Sequence, residues 1–179
     1  VDHLPDATLA FELPTPFPVG PVNCYVLLEE PVTVIDPGML FGDTIATVGA
    51  ELAAVGLGVG DVDAVVVTHA HPDHYGTAGW LADKADAPIY AGRAEIPKLL
   101  DNRDRQLLYE LIRSFGIPEE MLGVFPVFYG AVKEWLHEID ESRVVPVDDG
   151  DILWLGGRQL EAMVTPGHAA GHLSLWEPT

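Results

Sequence analysis

The sequence predicts a mixed α/β fold (α+β in some schemes), built as one domain over residues 1–179 with a helical insertion at about 93–140. Three observations predict it. Short apolar runs bounded by Gly and Pro clusters read as strands near both ends of the chain. Between the early runs, apolar residues recur every three to four positions, the spacing of a helix that buries one face. Residues 62–67, Val62-Asp63-Ala64-Val65-Val66-Val67, are apolar in five of six positions and read as a buried strand. At 179 residues the chain is one domain, long enough for a substantial core.

The elements follow in order. Residues 9–13, 22–28 and 32–36 read as successive strands. Asp43 is placed to cap a helix whose Ile45, Val48, Gly49 and Leu52 share one face. The buried strand then ends in Thr68, a loop follows, and a helix runs over about 74–85. Residues 88–91 make a short strand. Inside the insertion, Leu107, Leu108, Leu111, Ile112 and Phe115 mark one helix, and Pro118-Glu119-Glu120 puts proline and acids where another begins. Residues 144–147 and 152–155 return to strand. Gly156-Gly157 makes a hairpin turn into residues 159–164, and residues 172–176 form a last strand. Internal repeats and low-complexity linkers are absent.

The chemistry concentrates behind the buried strand, in Thr68-His69-Ala70-His71-Pro72-Asp73-His74. Side chains two apart on an extended segment point the same way, so His69 and His71 can face one ion. Asp73 and His74 fall where the chain turns into a helix, aimed at a neighbouring point. Imidazole and carboxylate together suit zinc, with iron and manganese also compatible. A polar loop that happens to be rich in histidine is the plainer reading, and the density of ligand types argues against it.

This block, continued by Tyr75-Gly76-Thr77-Ala78-Gly79, resembles the T-H-x-H-x-D-H-x-G-x-x-G signature of the metallo-β-lactamase-fold hydrolases. Three more segments agree, in the family's order: Asn23-Cys24-Tyr25-Val26-Leu27-Leu28, Val34-Ile35-Asp36-Pro37-Gly38, and Thr165-Pro166-Gly167-His168-Ala169-Ala170-Gly171-His172. The resemblance implies an αββα sandwich. It implies a first metal site of His69, His71 and His168, with water in the fourth position, and a second site drawing on Asp73 and His74. Asp73 would hold a second ion or, with one ion, act as general base. The implied activity is hydrolysis of an ester, thioester or lactone-type small molecule by metal-bound hydroxide, with one or two zinc ions. The glyoxalase II-like and lactonase-like branches are nearest. An iron-dependent persulfide dioxygenase shares the first motif and is the alternative enzyme. A catalytically inactive fragment or partner-binding domain is the non-enzymatic alternative.

The departures from the pattern also carry expectations. The family continues past its T-P-G-H segment to a bridging aspartate and a last histidine, whereas this chain runs from Val1 to Trp176-Glu177-Pro178-Thr179 without them. The expectation is a processed or truncated chain that lacks the last strands of the sandwich. Its exposed sheet edge would then drive homo-oligomerisation or take up a complementing C-terminal segment. His71 stands where the di-iron flavoprotein relatives carry glutamate, which disfavours redox di-iron chemistry.

Composition excludes other classes. Asp and Glu number 28 against 9 Lys and Arg, a net charge of −19 that repels nucleic acid. No apolar run is long enough to span a bilayer. The single Cys24 excludes an intrachain disulfide, reads as a small buried hydrophobe, and fits a cytoplasmic setting. Ser114, Ser142 and Ser174 are the only serines, and none lies in G-x-S-x-G. Gly56-Leu57-Gly58-Val59-Gly60 precedes a strand instead of following one, unlike a dinucleotide loop. His172 is assigned to the scaffold, His3 to a terminus and His137 to a helix. Asp36 is either a carboxylate supporting the metal loop or a turn-stabilising residue before Pro37-Gly38. Asp148-Asp149-Gly150-Asp151 reads as a turn, lacking the spaced ligands of a calcium loop. Tyr109, Phe115, Phe125, Phe128, Tyr129 and Trp135 either form an apolar lid or fill the core of a helical subdomain.

Overall fold

Strand β4 (Ala64–Val67) sets the layering, because all four of its residues are buried. Such a strand must be covered on both faces and paired on both sides. In the computed structural model, which describes residues 4–18, 20–100 and 133–178, its neighbours are β3 (Thr33–Ile35) and β5 (Ile89–Gly92), both parallel to it. Strands β1 (Thr8–Leu13) and β2 (Val22–Leu27) extend the sheet antiparallel on the β3 side, and β6 (Val144–Val147) adds a parallel strand beyond β5. The order is therefore β1-β2-β3-β4-β5-β6.

A second, antiparallel sheet of three described strands runs β7 (Ile152–Leu155), β8 (Arg158–Val164) and β9 (Leu173–Trp176). The β7–β8 turn is Gly156-Gly157, with φ of 57° and 70°. Positive φ at both positions is the geometry that matches the twist of a two-residue hairpin. A side chain at Gly156 would also collide with Leu27, so this turn sits directly on the first sheet.

Alternation along β4 splits the core. Val65 and Val67 pack with Val34, Ile89, and with Val48 and Leu52 of α1 (Thr44–Ala54) and Leu81 of α3 (Ala78–Ala85). Ala64 and Val66 face the other way, with Leu27 of β2, onto Leu155 and Leu160 of the second sheet. The described layers are helix, sheet, sheet. Each buried Val or Leu contributes about 1.5–3 kcal/mol on leaving water. Cys24 lies in this core at 0% exposure, and burial pushes its thiol well above the ordinary range, which fits a hydrophobe and not a nucleophile.

Three local expectations need correction. The helix over 74–85 is two helices, α2 (Pro72–Tyr75) and α3. A Cβ on Gly76 would lie 2.7 Å from the Met39 Cα, and Thr77 donates through Oγ1 to the Pro37 carbonyl (2.7 Å) and through its N–H to that of Gly38 (2.8 Å). Docking of this turn onto the segment after β3 outweighs helical continuity. Asp43 occupies the N-cap position of α1 without a side-chain cap bond, and Ile45 is 38% exposed instead of sharing the buried face of Val48 and Leu52. Thr44 Oγ1 instead bonds the Phe41 carbonyl at 2.8 Å. His137 lies outside any helix, its N–H donating to the Gly76 carbonyl at 2.7 Å.

The described part of the expected insertion holds α4 (Ile96–Leu100), and a single-turn helix at Glu141–Arg143 follows it. The expected helices around Leu107–Phe115 and Pro118, and the aromatic residues Tyr109, Phe115, Phe125, Phe128 and Tyr129, lie outside the described residues, as does His3. Trp135 is described and packs edge-on against Phe17 and Phe41, with centroids 6.2 and 5.8 Å apart. Among the described residues no helix is long and apolar enough to cross a membrane.

Candidate metal centre

The candidate ligands gather where strands end. Parallel strands β3, β4 and β5 present their carboxyl ends along one edge, the usual location of sites in such sheets. The backbone leaves β4 after Val67, bends at Thr68 and His69, and reaches His71, the N-cap of α2, at φ −92° and ψ 138°. His69 and His71 nevertheless face one point, with His69 Nε2 and His71 Nδ1 in hydrogen-bond range. The second sheet supplies His168 from the loop between β8 and β9. That loop is tied down at both ends, by the Thr165 N–H on the His172 carbonyl (2.8 Å) and the Leu173 N–H on the Thr68 carbonyl (2.9 Å).

His69, His71 and His168 converge. One ring nitrogen from each lies within 4.8 Å of the other two. His69 Nε2 is 3.0 Å from His71 Nδ1 and 3.2 Å from His168 Nε2. The hydrogen bonds behind His69 assign its tautomer. Thr68 Oγ1 donates to Asp36 Oδ2 at 2.6 Å, so its oxygen accepts from His69 Nδ1 at 3.0 Å. The lone pair of His69 is then on Nε2, facing the other two rings, as a metal ligand needs. Burial and the mutual repulsion of the imidazoles push His69 down to about 3, and burial also lowers His71. These two rings stay neutral at ordinary pH, the form that binds a cation. The cluster grades from buried His69 through half-buried His71 to exposed His168, so one side opens to solvent. The donor set fits a divalent metal ion.

Asp73 and His74 are not members of that three-imidazole group. His74 stacks beside His69, with ring centroids 4.2 Å apart, and its Nε2 is 3.9 Å from Asp73 Oδ2. Its Nδ1 sits 2.8 Å from Asp36 Oδ2. Burial alone would lower His74, but the bond to Asp36 and the charges of Asp36 and Asp73 prevail and raise it.

Asp36 decides between the two sequence readings. Its backbone is left-handed, φ 53°, a conformation that Asp tolerates better than most residues. Its carboxylate accepts from the Thr68 N–H (2.8 Å), the Thr68 hydroxyl and His74. It supports the histidine loop. His172 bonds Thr165 Oγ1 through Nδ1 at 3.1 Å and lies 5.1 Å from the His69 ring, beside the cluster but outside it. Asp148–Asp151 is a turn, closed by the Asp148 N–H on Asp151 Oδ2. Sequence reasoning missed Glu95, which is wholly buried and accepts backbone N–H groups of Ala70 and Gly171. Burial alone would raise its pKa, but these bonds and Lys98 hold it below the ordinary carboxylate range. No sequence signal marks it, since a glutamate opening a short helix is ordinarily solvated.

Comparison with known proteins fits this geometry. A family model described as the metallo-beta-lactamase superfamily matches residues 17–179. The chain belongs to the metallo-beta-lactamase superfamily.

Relatives within this superfamily include the probable metallo-hydrolase YqjP of Bacillus subtilis, 25% identical over 94% of this chain and 52% of that protein. The metallo-beta-lactamase fold-containing protein ST1585 of Sulfurisphaera tokodaii is 29% identical over 88% of this chain and 56% of its own length. Among solved structures, the metallo-beta-lactamase family protein TTHA1429 of Thermus thermophilus matches with a TM-score of 0.82 at 26% identity, covering 96% of this chain and 56% of the other. The chain thus spans about half the length of the relatives it matches. Membership and the His69–His71–His168 group support a metal-dependent hydrolase in general.

Proposed function

We propose that this chain carries the metal centre of a hydrolase acting on an ester, thioester or lactone-type carbonyl of a small molecule. The observation that supports it best is the convergence of His69 Nε2, His71 Nδ1 and His168 Nε2 on one point with an open side. The named relative YqjP, a probable metallo-hydrolase, agrees with the class. Zinc is the proposed ion, one or two per chain.

A bound divalent cation there would lower the pKa of a water ligand towards neutrality and polarise the carbonyl. The chain's own groups do the rest. His69, His71 and His168 would hold the ion; Thr68 and Asp36 keep His69 in its ligating tautomer and orient His74. Asp73, at the start of α2 and half-buried, would accept a proton from the attacking water. With two ions, Asp73 and His74 would bind the second.

The test is metal analysis together with hydrolysis of a panel of aryl esters, hydroxyacyl thioesters and lactones after addition of zinc. The expected result is one tightly held ion per chain and zinc-dependent turnover of at least one carbonyl class. Two firmly bound ions about 3.5–4 Å apart would overturn the single-ion expectation. Bound iron with oxygen consumption would move the reading to a persulfide dioxygenase, and a chain that binds no metal would leave a partner-binding domain.

A second expectation concerns association. Ile152, Trp154 and Trp176 are 47, 66 and 50% exposed. The pairings Ile152↔Glu161 and Glu161↔Trp176 put them on one face, and among the described residues β9 is an edge of its sheet. An exposed apolar face beside an open edge favours pairing with another polypeptide. Light scattering on this chain produced alone is expected to give a mass above the monomer. A stable monomer would overturn that expectation.

A further inference from the structure

We propose that Glu95 is a positioning residue that clamps the two histidine-bearing loops together, an inference that rests on the metal-centre reading above. His69 and His168 are 99 residues apart in sequence and reach the site from different sheets. Their convergence needs something that fixes one loop against the other.

Glu95 stands between them. Its residue exposure is 0%, and each carboxylate oxygen accepts one backbone N–H. Oε2 takes that of Ala70, between His69 and His71, at 3.0 Å. Oε1 takes that of Gly171, between His168 and His172, at 2.7 Å. Charge-assisted bonds of this kind are about twice as strong as neutral ones. A buried carboxylate is tolerated only where such donors fill its lone pairs. The clamp is itself held by a turn after β5, in which the Glu95 N–H donates to the Gly92 carbonyl at 2.8 Å.

Two glycines let the parts approach. A Cβ on Gly171 would lie 3.0 Å from Ala94 Cβ and 3.1 Å from Glu95 N. A Cβ on Gly92 would collide with the Gly171 carbonyl. The loop carrying His168 therefore lies directly on the Gly92–Glu95 turn. The plainer account is that Glu95 serves Lys98, whose Nζ is 3.5 Å from Oε2. Lys98 is 39% exposed and three residues on, a solvated contact worth little. The two backbone bonds are buried and connect segments 25 and 76 residues away.

The test measures zinc affinity by chelator competition, and the visible spectrum of the cobalt-substituted protein, for the native chain, Glu95→Gln, Glu95→Ala and Lys98→Met. A glutamine can accept only one of the two N–H groups and turns its own amide N–H towards the other. Both Glu95 variants are expected to lose about 10–100-fold in affinity, the range for groups that orient ligands, with a shifted cobalt spectrum. Lys98→Met is expected to keep both. Native affinity and spectrum in Glu95→Gln, or an equal loss in Lys98→Met, would overturn the clamp. Should the Glu95 variants fail to fold, amide exchange on the native chain stripped of metal decides. Slow exchange at both Ala70 and Gly171 is expected, and fast exchange at either overturns the proposal. A native chain that binds neither zinc nor cobalt removes the metal reading, while the exchange of those two amides still reads the clamp separately.

Discussion

His69→Ala or His71→Ala is expected to lower metal affinity by more than the roughly 10–100-fold typical of a group outside the ligand set, and to remove the proposed hydrolysis. Each change deletes one of three lone pairs that meet within 4.8 Å. The remaining two imidazoles fall short of the three protein ligands that a tightly held catalytic zinc ion takes. His172→Ala is the control. Its ring lies beside His69, but its Nδ1 is engaged with Thr165 Oγ1, and its loss removes packing and one neutral hydrogen bond. Much of the metal affinity and activity should survive. Equal losses for all three variants, read by metal content and turnover, would place His172 in the site and break the assignment.

Asp36→Ala is expected to be the most destabilising single change near the site, at roughly 2–4 kcal/mol. It strands three donors: the Thr68 N–H, the Thr68 hydroxyl and His74 Nδ1. Unsatisfied buried donors cost about 1–3 kcal/mol each, less where water reaches them. Alanine also tolerates the left-handed backbone at φ 53° less well, by about 1 kcal/mol. For a chain of this size the drop corresponds to about 5–15 °C in melting temperature. Asp36→Asn separates the parts, because asparagine accepts the left-handed backbone and keeps one acceptor oxygen. Thermal melts should rank native, Asn, Ala in falling order. An alanine variant as stable as the native chain would mean the carboxylate does not hold the loop.

Most of the strands were legible because their signals are local. The runs at residues 144–147 and 152–155 match β6 and β7 to the residue, and Gly156-Gly157 makes the turn its composition demands. The break between α2 and α3 was not legible, since the period of the apolar residues continues through it. What ends α2 is contact of Gly76 and Thr77 with Pro37, Gly38 and Met39, nearly forty positions back along the chain. Ile45 misled for a related reason: its spacing fits the buried face of α1, but that face runs through Thr44, Val48 and Leu52, four residues apart, and leaves Ile45 beside it.

By itself the sequence determined where most strands run along the chain, the buried β4, and a loop in which His69 and His71 face one way. Two-residue alternation and turn chemistry act within a few residues and need no partner to be read. Only the tertiary structure decided that Asp36 braces this loop and that Glu95 joins both loops. Those roles depend on where chain segments cross, with bonds spanning 32 residues from Thr68 to Asp36 and 76 from Gly171 to Glu95. A carboxylate shows its purpose only when the fold has removed water from it and put specific N–H groups in water's place.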